Sequence, residues 1–156
     1  MSTAHVVVGA AVGAAVGNPV GGLLLGILSH HLLDLIPHWD VGSFYAPTFD
    51  PPKLTRRDVL IAAVDGLVAV GLLWFMAVTF GGSQVWALVA GGVGGLLPDI
   101  WHHIPWWKSR SRQITKRWFS LHERWHWTVA QSQMGWGLLT QVVAIGLAWW
   151  WLASVR

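Results

Sequence analysis

The apolar residues of this chain gather in long runs that carry almost no charge. Two of these runs, residues 58–80 and 132–155, are long enough as helices to cross a hydrocarbon core of about 30 Å. The second run ends in the tryptophan triplet Trp149 to Trp151. Such a triplet is typical of a helix that leaves the bilayer. The pattern therefore predicts two membrane-spanning helices.

The first 36 residues form a third apolar region, with no formal charge before Asp34. One continuous helix over this region would be about 51 Å long, which is too long for a single crossing. The sequence Gly-Asn-Pro at 17–19 interrupts it, because proline lacks a backbone donor and Asn-Pro favours a turn. We predict a hairpin of two short helices, 3–17 and 20–36. The alternative is a single kinked crossing, since membrane helices tolerate proline.

Two further segments complete the predicted fold. Residues 83–97 are apolar but would reach only about 22 Å, so a short helix is expected between the uncharged turn at 81–83 and Pro98. Residues 113–127 are amphipathic and predict an interfacial helix. The expected fold is all-α, a polytopic membrane helical bundle in one domain.

Composition supports a membrane protein and excludes several other classes. Only 11% of the residues are charged, where a soluble domain has about 25%, and the mean hydropathy is +0.50. The chain contains no cysteine, 8 histidines and 13 tryptophans. A disulfide scaffold, a disordered tail and a collagen-like chain are therefore excluded.

The basic residues indicate the orientation in the membrane. Nine of the ten fall in two blocks beside the apolar runs, which is the positive-inside pattern of cytoplasmic loops. We therefore expect a multi-pass protein of the bacterial inner membrane, with 37–57 and 98–131 in the cytoplasm. A pI near 10.0 could also indicate nucleic-acid binding, but no specific nucleic acid is expected. The two blocks are Lys53, Arg56 and Arg57, then Lys108, Arg110, Arg112, Lys116, Arg117 and Arg124.

All eight histidines fall near the cytoplasmic face if the N-terminal hairpin is correct. Several are three or four residues from another histidine or an aspartate, the spacing that brings ligands to one face of a helix. Imidazole and carboxylate are suitable zinc ligands, and a carboxylate can bridge two metals. The alternative is that interfacial His and Trp only anchor helix ends. The spaced sets are His30, Asp34 and His38; Asp99 with His102 or His103; and His122 with His126.

The remaining acidic residues differ in their expected roles. Asp65 lies about two turns inside a predicted span, where an ionised carboxylate is costly. It is a candidate ligand, a partner that fixes a histidine tautomer, or a protonated packing residue. Asp40, Asp50 and Asp58 are interpreted as solvated loop or helix-start charges.

Three motifs resemble a family of bacterial inner-membrane proteins regarded as metal-dependent hydrolases. They are Gly-Ile-Leu-Ser-His-His-Leu-Leu-Asp at 26–34, Leu-Leu-Pro-Asp-Ile-Trp-His at 96–102, and the pair His122 and His126. That family is thought to be distantly similar to zinc-dependent phospholipase C and to the single-strand-specific zinc nucleases. The chain departs from the family pattern in having Trp101 where a second Asp is expected, in a shorter His122–His126 spacing, and in motif order. The resemblance implies a divalent metal, most simply zinc, held by His5, His30, Asp34, Asp99, His102, His122 and His126.

These observations predict a membrane-embedded, metal-dependent hydrolase that acts at the cytoplasmic face on a phosphodiester or lipid-like substrate. The bound metal would lower the pKa of a water molecule, which Asp65 or Glu123 would orient or deprotonate. The basic residues of 110–124 could hold an anionic headgroup or phosphodiester.

Two alternatives remain open at the level of sequence. His-Glu-Arg-Trp-His at 122–126 matches the HExxH pattern of zinc proteases, with Glu123 as general base. The second alternative is a non-enzymatic accessory subunit, or a metal or pigment binder, of a larger membrane complex. Its glycines, such as Gly9, Gly13 and Gly17, would pack helices within the chain, in a homo-oligomer or against partners.

Overall fold

The computed structural model describes residues 1–40, 55–103, 122 and 124–155, with the backbone alone for 102 and 103. Within these ranges, every regular element is helical. Short 3₁₀ turns, Gly82–Gln84 and Gln131–Gln133, precede the last two long helices. The helices are α1 (Ser2–Val16), α2 (Pro19–Asp34), α3 (Arg56–Phe80), α4 (Val85–His103) and α5 (Met134–Ser154).

The N-terminal region forms two helices that turn back on each other. Gly17 ends α1 with a φ of 74°, a left-handed conformation that glycine adopts without steric cost, and its amide donates to the Gly13 carbonyl. The Asn18 side chain then caps α2 by accepting from the Gly21 amide at 2.7 Å, and Pro19 occupies the first helical position. The arrangement is the hairpin, not the single kinked crossing. His5 consequently lies beside α2.

Two of the helices, Arg56–Phe80 and Gln131–Ser154 with its leading turn, are long and apolar enough to cross a membrane by length and composition. A capping box begins α3: Thr55 Oγ1 accepts from the Asp58 amide, and Asp58 accepts from the Thr55 amide at 2.7 Å. The interpretation of Asp58 as a helix-start charge is therefore confirmed. Most side chains on these two helices face outward and are apolar.

The fourth helix is longer than the sequence indicated. We expected it to end at Pro98, but α4 continues through Pro98 to His103 and is about 28 Å long. Proline removes one backbone donor, and packing against neighbouring helices can support the interrupted turn. Here α1 and α2 both pack along α4. As a result Asp99 lies within a helix, facing α2.

Glycines allow α4 to approach α1 and α2 backbone to backbone. A Cβ atom on Gly91 would overlap the carbonyl oxygen of Gly9, and one on Gly26 would overlap the carbonyl oxygen of Gly91. Small residues at such positions let helices pack closely where no hydrophobic effect drives them together. We call this contact the glycine seam; it contains Gly9, Gly13, Gly22, Gly26, Gly91, Gly94 and Gly95.

The predicted interfacial helix at 113–127 falls largely outside the described residues, as do residues 41–54 with Asp50. The part that is described, from Arg124 onward, runs along the end of α2. It makes contacts that build the site below.

Candidate metal centre

Asp34, the last residue of α2, lies at the centre of a group of histidines. Its side chain is fully buried, and its two oxygens face different neighbours. Atom Oδ1 lies 3.4 Å from His5 Nε2, 3.9 Å from His38 Nε2 and 3.9 Å from His126 Nε2. Atom Oδ2 lies 3.2 Å from His30 Nε2 and 3.7 Å from His122 Nδ1. Five imidazoles from four parts of the chain therefore surround one carboxylate.

Backbone hydrogen bonds hold the 122–129 segment against the end of α2. The Trp127 amide donates to the Asp34 carbonyl at 2.8 Å, and the His38 amide donates to the Trp127 carbonyl at 3.1 Å. The Val129 amide then donates to the His38 carbonyl at 2.9 Å. This ladder brings His122 and His126 next to Asp34, although they lie 88 and 92 positions further along the chain.

The second turn of α5 supports the same loop from the other side. Thr140 Oγ1 donates to the Pro37 carbonyl at 2.7 Å, and Gln141 Nε2 donates to the Trp39 carbonyl at 2.6 Å. Because both bonds flank His38, they fix the backbone that carries this ligand candidate.

Asp65, on α3, packs against the beginning of α1. Its carboxylate accepts from the Ser2 amide at 2.5 Å and from Thr3 Oγ1 at 2.6 Å, which satisfies donors at the N-terminus of that helix. Among the described residues it belongs to none of the groups able to hold a metal. The contacts of Asp65 tie α3 to the helix turn that carries His5. These hydrogen bonds are with Ser2 and Thr3 and not with a histidine, so the roles predicted for Asp65 in catalysis or in fixing a histidine tautomer stay predictions.

Two histidines have their tautomers set by backbone carbonyls. His30 Nδ1 is 2.7 Å from the Gly95 carbonyl oxygen, and His38 Nδ1 is 2.9 Å from the Ile36 carbonyl oxygen. A carbonyl oxygen can only accept, so each Nδ1 carries the proton. In the neutral ring, Nε2 then presents a lone pair to the centre of the cluster. This is how metal-ligating histidines are usually oriented.

Hydrogen bonding within the centre is incomplete. Among the described residues, neither oxygen of Asp34 nor Nε2 of His30 has a partner with hydrogen-bond geometry. Leaving a buried polar group unsatisfied costs about 1–3 kcal/mol, and more for a charged one. Ligands about 2.0–2.2 Å from a tetrahedral ion lie roughly 3.4 Å from one another. The spacings of 3.2–3.9 Å around Asp34 therefore fit ligands of a metal better than hydrogen-bonded pairs.

The described residues contain four groups whose ligand atoms could hold a metal ion, each with its atoms within 4.8 Å of one another. Three members, His31, His38 and Asp40, were not among the predicted ligands, although the four-residue step from Asp34 to His38 is visible in the sequence. We call all members together the His/Asp cluster. The groups are His30, His31, Asp34 and His122; His5, His30 and Asp99; His5, Asp34 and His38; and His38, Asp40 and His126.

The interpretation of Asp40 as a solvated loop charge is wrong. Its carboxylate contacts the Met1 amino group and lies 3.3 Å from His126 Nε2, because the loop after α2 folds back over the start of α1. Burial alone would raise the pKa of Asp40, but the positive charge of the Met1 amino group and the His126 hydrogen bond outweigh it and lower that pKa.

Charge also perturbs the two histidines at this edge of the cluster. Burial lowers the pKa of His38. Burial acts in the same direction on His126, but its hydrogen bond with Asp40 and the charge of Asp34 outweigh that effect and raise the pKa of His126. Their Nε2 atoms face each other at 3.1 Å, so a proton or a cation must lie between them.

Some of the remaining predicted site residues are described by the structure and others are not. Asp99 belongs to the cluster, with Oδ1 3.6 Å from His30 Nε2. The side chain of His102 lies outside the described residues, as do Glu123 and the basic residues from 108 to 117. Arg124 is described and exposed.

Two cavities adjoin the cluster. A small one of about 20 Å³, room for about one water, is lined by His5, His38, Thr140 and Gln141 among others. A groove of about 730 Å³ runs between the N-terminal hairpin and α5 and is lined almost entirely by apolar side chains. Both are lined by Leu33, Ile36, Thr140 and Ala144, so the groove leads to the edge of the cluster.

The centre thus combines a buried carboxylate, imidazoles with fixed tautomers and an apolar approach. Comparison with known proteins adds no family to this description. No protein-family model, curated protein or solved structure matches the chain.

Proposed function

We propose that this protein is a membrane-embedded, divalent-metal-dependent hydrolase with the His/Asp cluster as its centre. The observation that carries the proposal is Asp34, a fully buried carboxylate whose oxygens lack hydrogen-bond geometry while facing five imidazole nitrogens. A cation satisfies this arrangement directly, since carboxylate and neutral imidazole are both zinc ligands.

The chain's own residues would perform three tasks in such an enzyme. The carbonyls of Ile36 and Gly95 hold the ligand tautomers, and Asp65 positions the helix turn that carries His5. The small cavity beside His5 and His38 leaves room for a reacting water or a substrate oxygen. A bound divalent ion supplies Lewis acidity and makes that water more acidic.

The apolar groove supports a lipid-like substrate over a fully water-soluble one. Its volume of about 730 Å³ lies within the range of small-molecule sites, and it shares four lining residues with the small cavity beside His5 and His38. We assign the groove to the acyl chain of a lipid whose polar headgroup reaches the metal. The groove is bordered by α5, one of the two helices able to cross a membrane.

We also propose that the protein is a multi-pass bundle of the bacterial inner membrane, with the cluster at the cytoplasmic face. Matched serines in the two 3₁₀ turns test this orientation: Ser83→Cys and Ser132→Cys should be labelled from opposite sides of the membrane by an impermeant thiol reagent. Labelling of both cysteines from the same side would contradict the proposed orientation, in which only the end of the bundle that carries the cluster faces the cytoplasm.

The geometry favours this proposal over the zinc-protease alternative. An HExxH site needs both histidines on one ion. Here His122 faces Oδ2 of Asp34, His126 faces Oδ1, and none of the four described groups contains both.

Metal content and turnover together test the proposal. The detergent-purified protein should retain a stoichiometric divalent metal and cleave a phosphodiester lipid, whereas Asp34→Asn should lose both properties. The variant Ser29→Ala is the matched control, because Ser29 is a buried polar residue on the same helix whose hydroxyl donates to the Gly26 carbonyl. Absence of metal from wild-type protein prepared without chelator would contradict the proposal. Metal without turnover on phosphodiester, lipid or peptide substrates would indicate an accessory or metal-binding subunit.

The groove is tested separately by adjacent valines on α5. Val143 lines the groove, whereas Val142 faces outward and is 64% exposed. Val143→Trp should raise KM for a long-chain lipid about tenfold or more and leave hydrolysis of a short-chain phosphodiester unchanged. Val142→Trp should change neither, and equal effects of the two variants would refute the assignment of the groove.

A further inference from the structure

We infer that the His/Asp cluster holds two divalent ions bridged by Asp34. This inference rests on the metal centre of the proposed function and specifies how many ions that centre takes. It depends on how the ligand candidates divide between the two oxygens of one carboxylate.

The nitrogens fall into two sets. One set faces Oδ1 of Asp34 and consists of His5, His38 and His126. The other faces Oδ2 and includes His30 and His122, with His31 completing the same metal-capable group. Every histidine whose side chain is described belongs to one of these sets, and Asp34 is the only residue common to both.

Ligand number argues against one ion. A tetrahedral divalent ion takes four ligands, three histidines and one carboxylate oxygen being a normal complement. Six histidines with three carboxylates exceed that complement. On the Oδ2 side, His30, His31 and His122 form one four-member group with Asp34. On the Oδ1 side, the ligand candidates form two overlapping groups, His5 with Asp34 and His38, and His38 with Asp40 and His126. A single ion would leave the histidines at the other oxygen of Asp34 without a metal.

Each set also has a second carboxylate at its outer edge. Asp40 Oδ2 lies 3.3 Å from His126 Nε2 on the Oδ1 side, and Asp99 Oδ1 lies 3.6 Å from His30 Nε2 on the Oδ2 side. These carboxylates can bind the ions or orient the imidazoles that do. The approximate symmetry of the two sets about Asp34 is what a carboxylate-bridged pair requires.

A paired centre suits the proposed substrate class. Two divalent ions about 3.5–4 Å apart stabilise both the attacking and the leaving oxygen in the displacement at a phosphoryl group. The rival arrangement is one ion held by His5, His30 and Asp99, the one described group that takes a histidine from each set.

Zinc stoichiometry distinguishes the two arrangements. After loading with Zn²⁺ and removal of unbound metal, the wild-type protein and Ser29→Ala should each contain two zinc ions per chain by elemental analysis. The variants His38→Ala and His122→Ala should each retain one, and the double variant should retain none. Asp34→Asn should lose at least one ion, because an amide cannot bridge.

A second measurement needs no substitution and so does not depend on the variants folding. Mn²⁺ bound at two carboxylate-bridged sites should give the electron paramagnetic resonance spectrum of an exchange-coupled pair. One zinc per chain with an uncoupled Mn²⁺ signal and retained turnover would overturn the second ion and leave the proposed hydrolase intact. No bound zinc in the wild type would overturn both.

Discussion

The glycine seam and the His/Asp cluster both lie where α1, α2 and α4 meet, and the cluster also includes His38, Asp40, His122 and His126 from outside these helices. The two regions achieve burial by opposite means. In the seam, backbones touch because side chains are absent, and each helix satisfies its own polar groups. In the cluster, polar side chains meet with unsatisfied atoms, Asp34 above all. The comparison indicates that the seam holds the helices at a fixed spacing while the cluster remains energetically incomplete without a cation.

The largest expected effect is loss of the seam. Gly91→Ala would place a methyl group against the Gly9 carbonyl, and the resulting strain should lower the free energy of unfolding by about 3 kcal/mol or more. Gly66→Ala is the matched control, because nothing lies within 4 Å of its Cβ position on α3. Thermal unfolding in detergent measures both. Equal stability of the two variants would mean that the seam is not a close contact.

The second prediction concerns zinc binding at the His/Asp cluster. Zn²⁺ at 100 times its Kd should stabilise the wild-type protein by about 2.7 kcal/mol, because it binds the folded state. Asp34→Asn should gain little from zinc. With chelator present the variant should be at least as stable as wild type, since neither oxygen of Asp34 accepts a hydrogen bond of normal geometry from the described residues. A marked loss of stability for the variant in chelator would show that Asp34 is satisfied without metal.

The third prediction separates positioning from stability. Asp65→Asn removes acceptors from the start of α1 and should cost about 1 kcal/mol. It should also weaken zinc binding severalfold, because His5 lies in the same first turn of that helix. Asp58→Asn disrupts the cap of α3 at similar cost and should leave zinc affinity unchanged. Identical zinc affinities for the two variants, measured by competition with a chelating dye, would restrict Asp65 to a structural role.

The smallest effect is expected where α5 supports the cluster. Thr140→Val removes the hydrogen bond to the Pro37 carbonyl and should cost about 0.5–1.5 kcal/mol, with faster zinc exchange from the His38 side. Thr79→Val, at an exposed position on α3, should change neither stability nor exchange. A zinc exchange rate equal to that of wild type in Thr140→Val would show that the loop is held by the 127–129 ladder alone.

Much of the fold follows from local sequence. Gly17, Asn18 and Pro19 each have a conformational preference that acts within a few residues, so the hairpin is predictable without its neighbours. The capping box at Thr55 and Asp58 is local in the same sense. Pro98 shows the limit of this reasoning, because packing by α1 and α2 along α4 decides whether the helix continues.

The sequence predicts that the candidate site consists of histidines and aspartates, but it identifies only some of the residues that form it. Helical spacing identified His30 and Asp34 because both lie on one face of a single helix. It did not identify Asp40, which reaches His126 through a loop that folds back over α1. Periodicity carries no information about such a return of the chain.

The sequence by itself determined an apolar helical chain with its histidines and aspartates concentrated in a few segments. These properties depend on residue type and on spacing within single helices. Only the tertiary structure decided that Asp34 lies between two sets of histidines. It also decided that Asp65 caps α1 and does not join the His/Asp cluster. The physical reason is that a ligand set is defined by distances between separate elements, which the glycine seam and the 127–129 ladder fix.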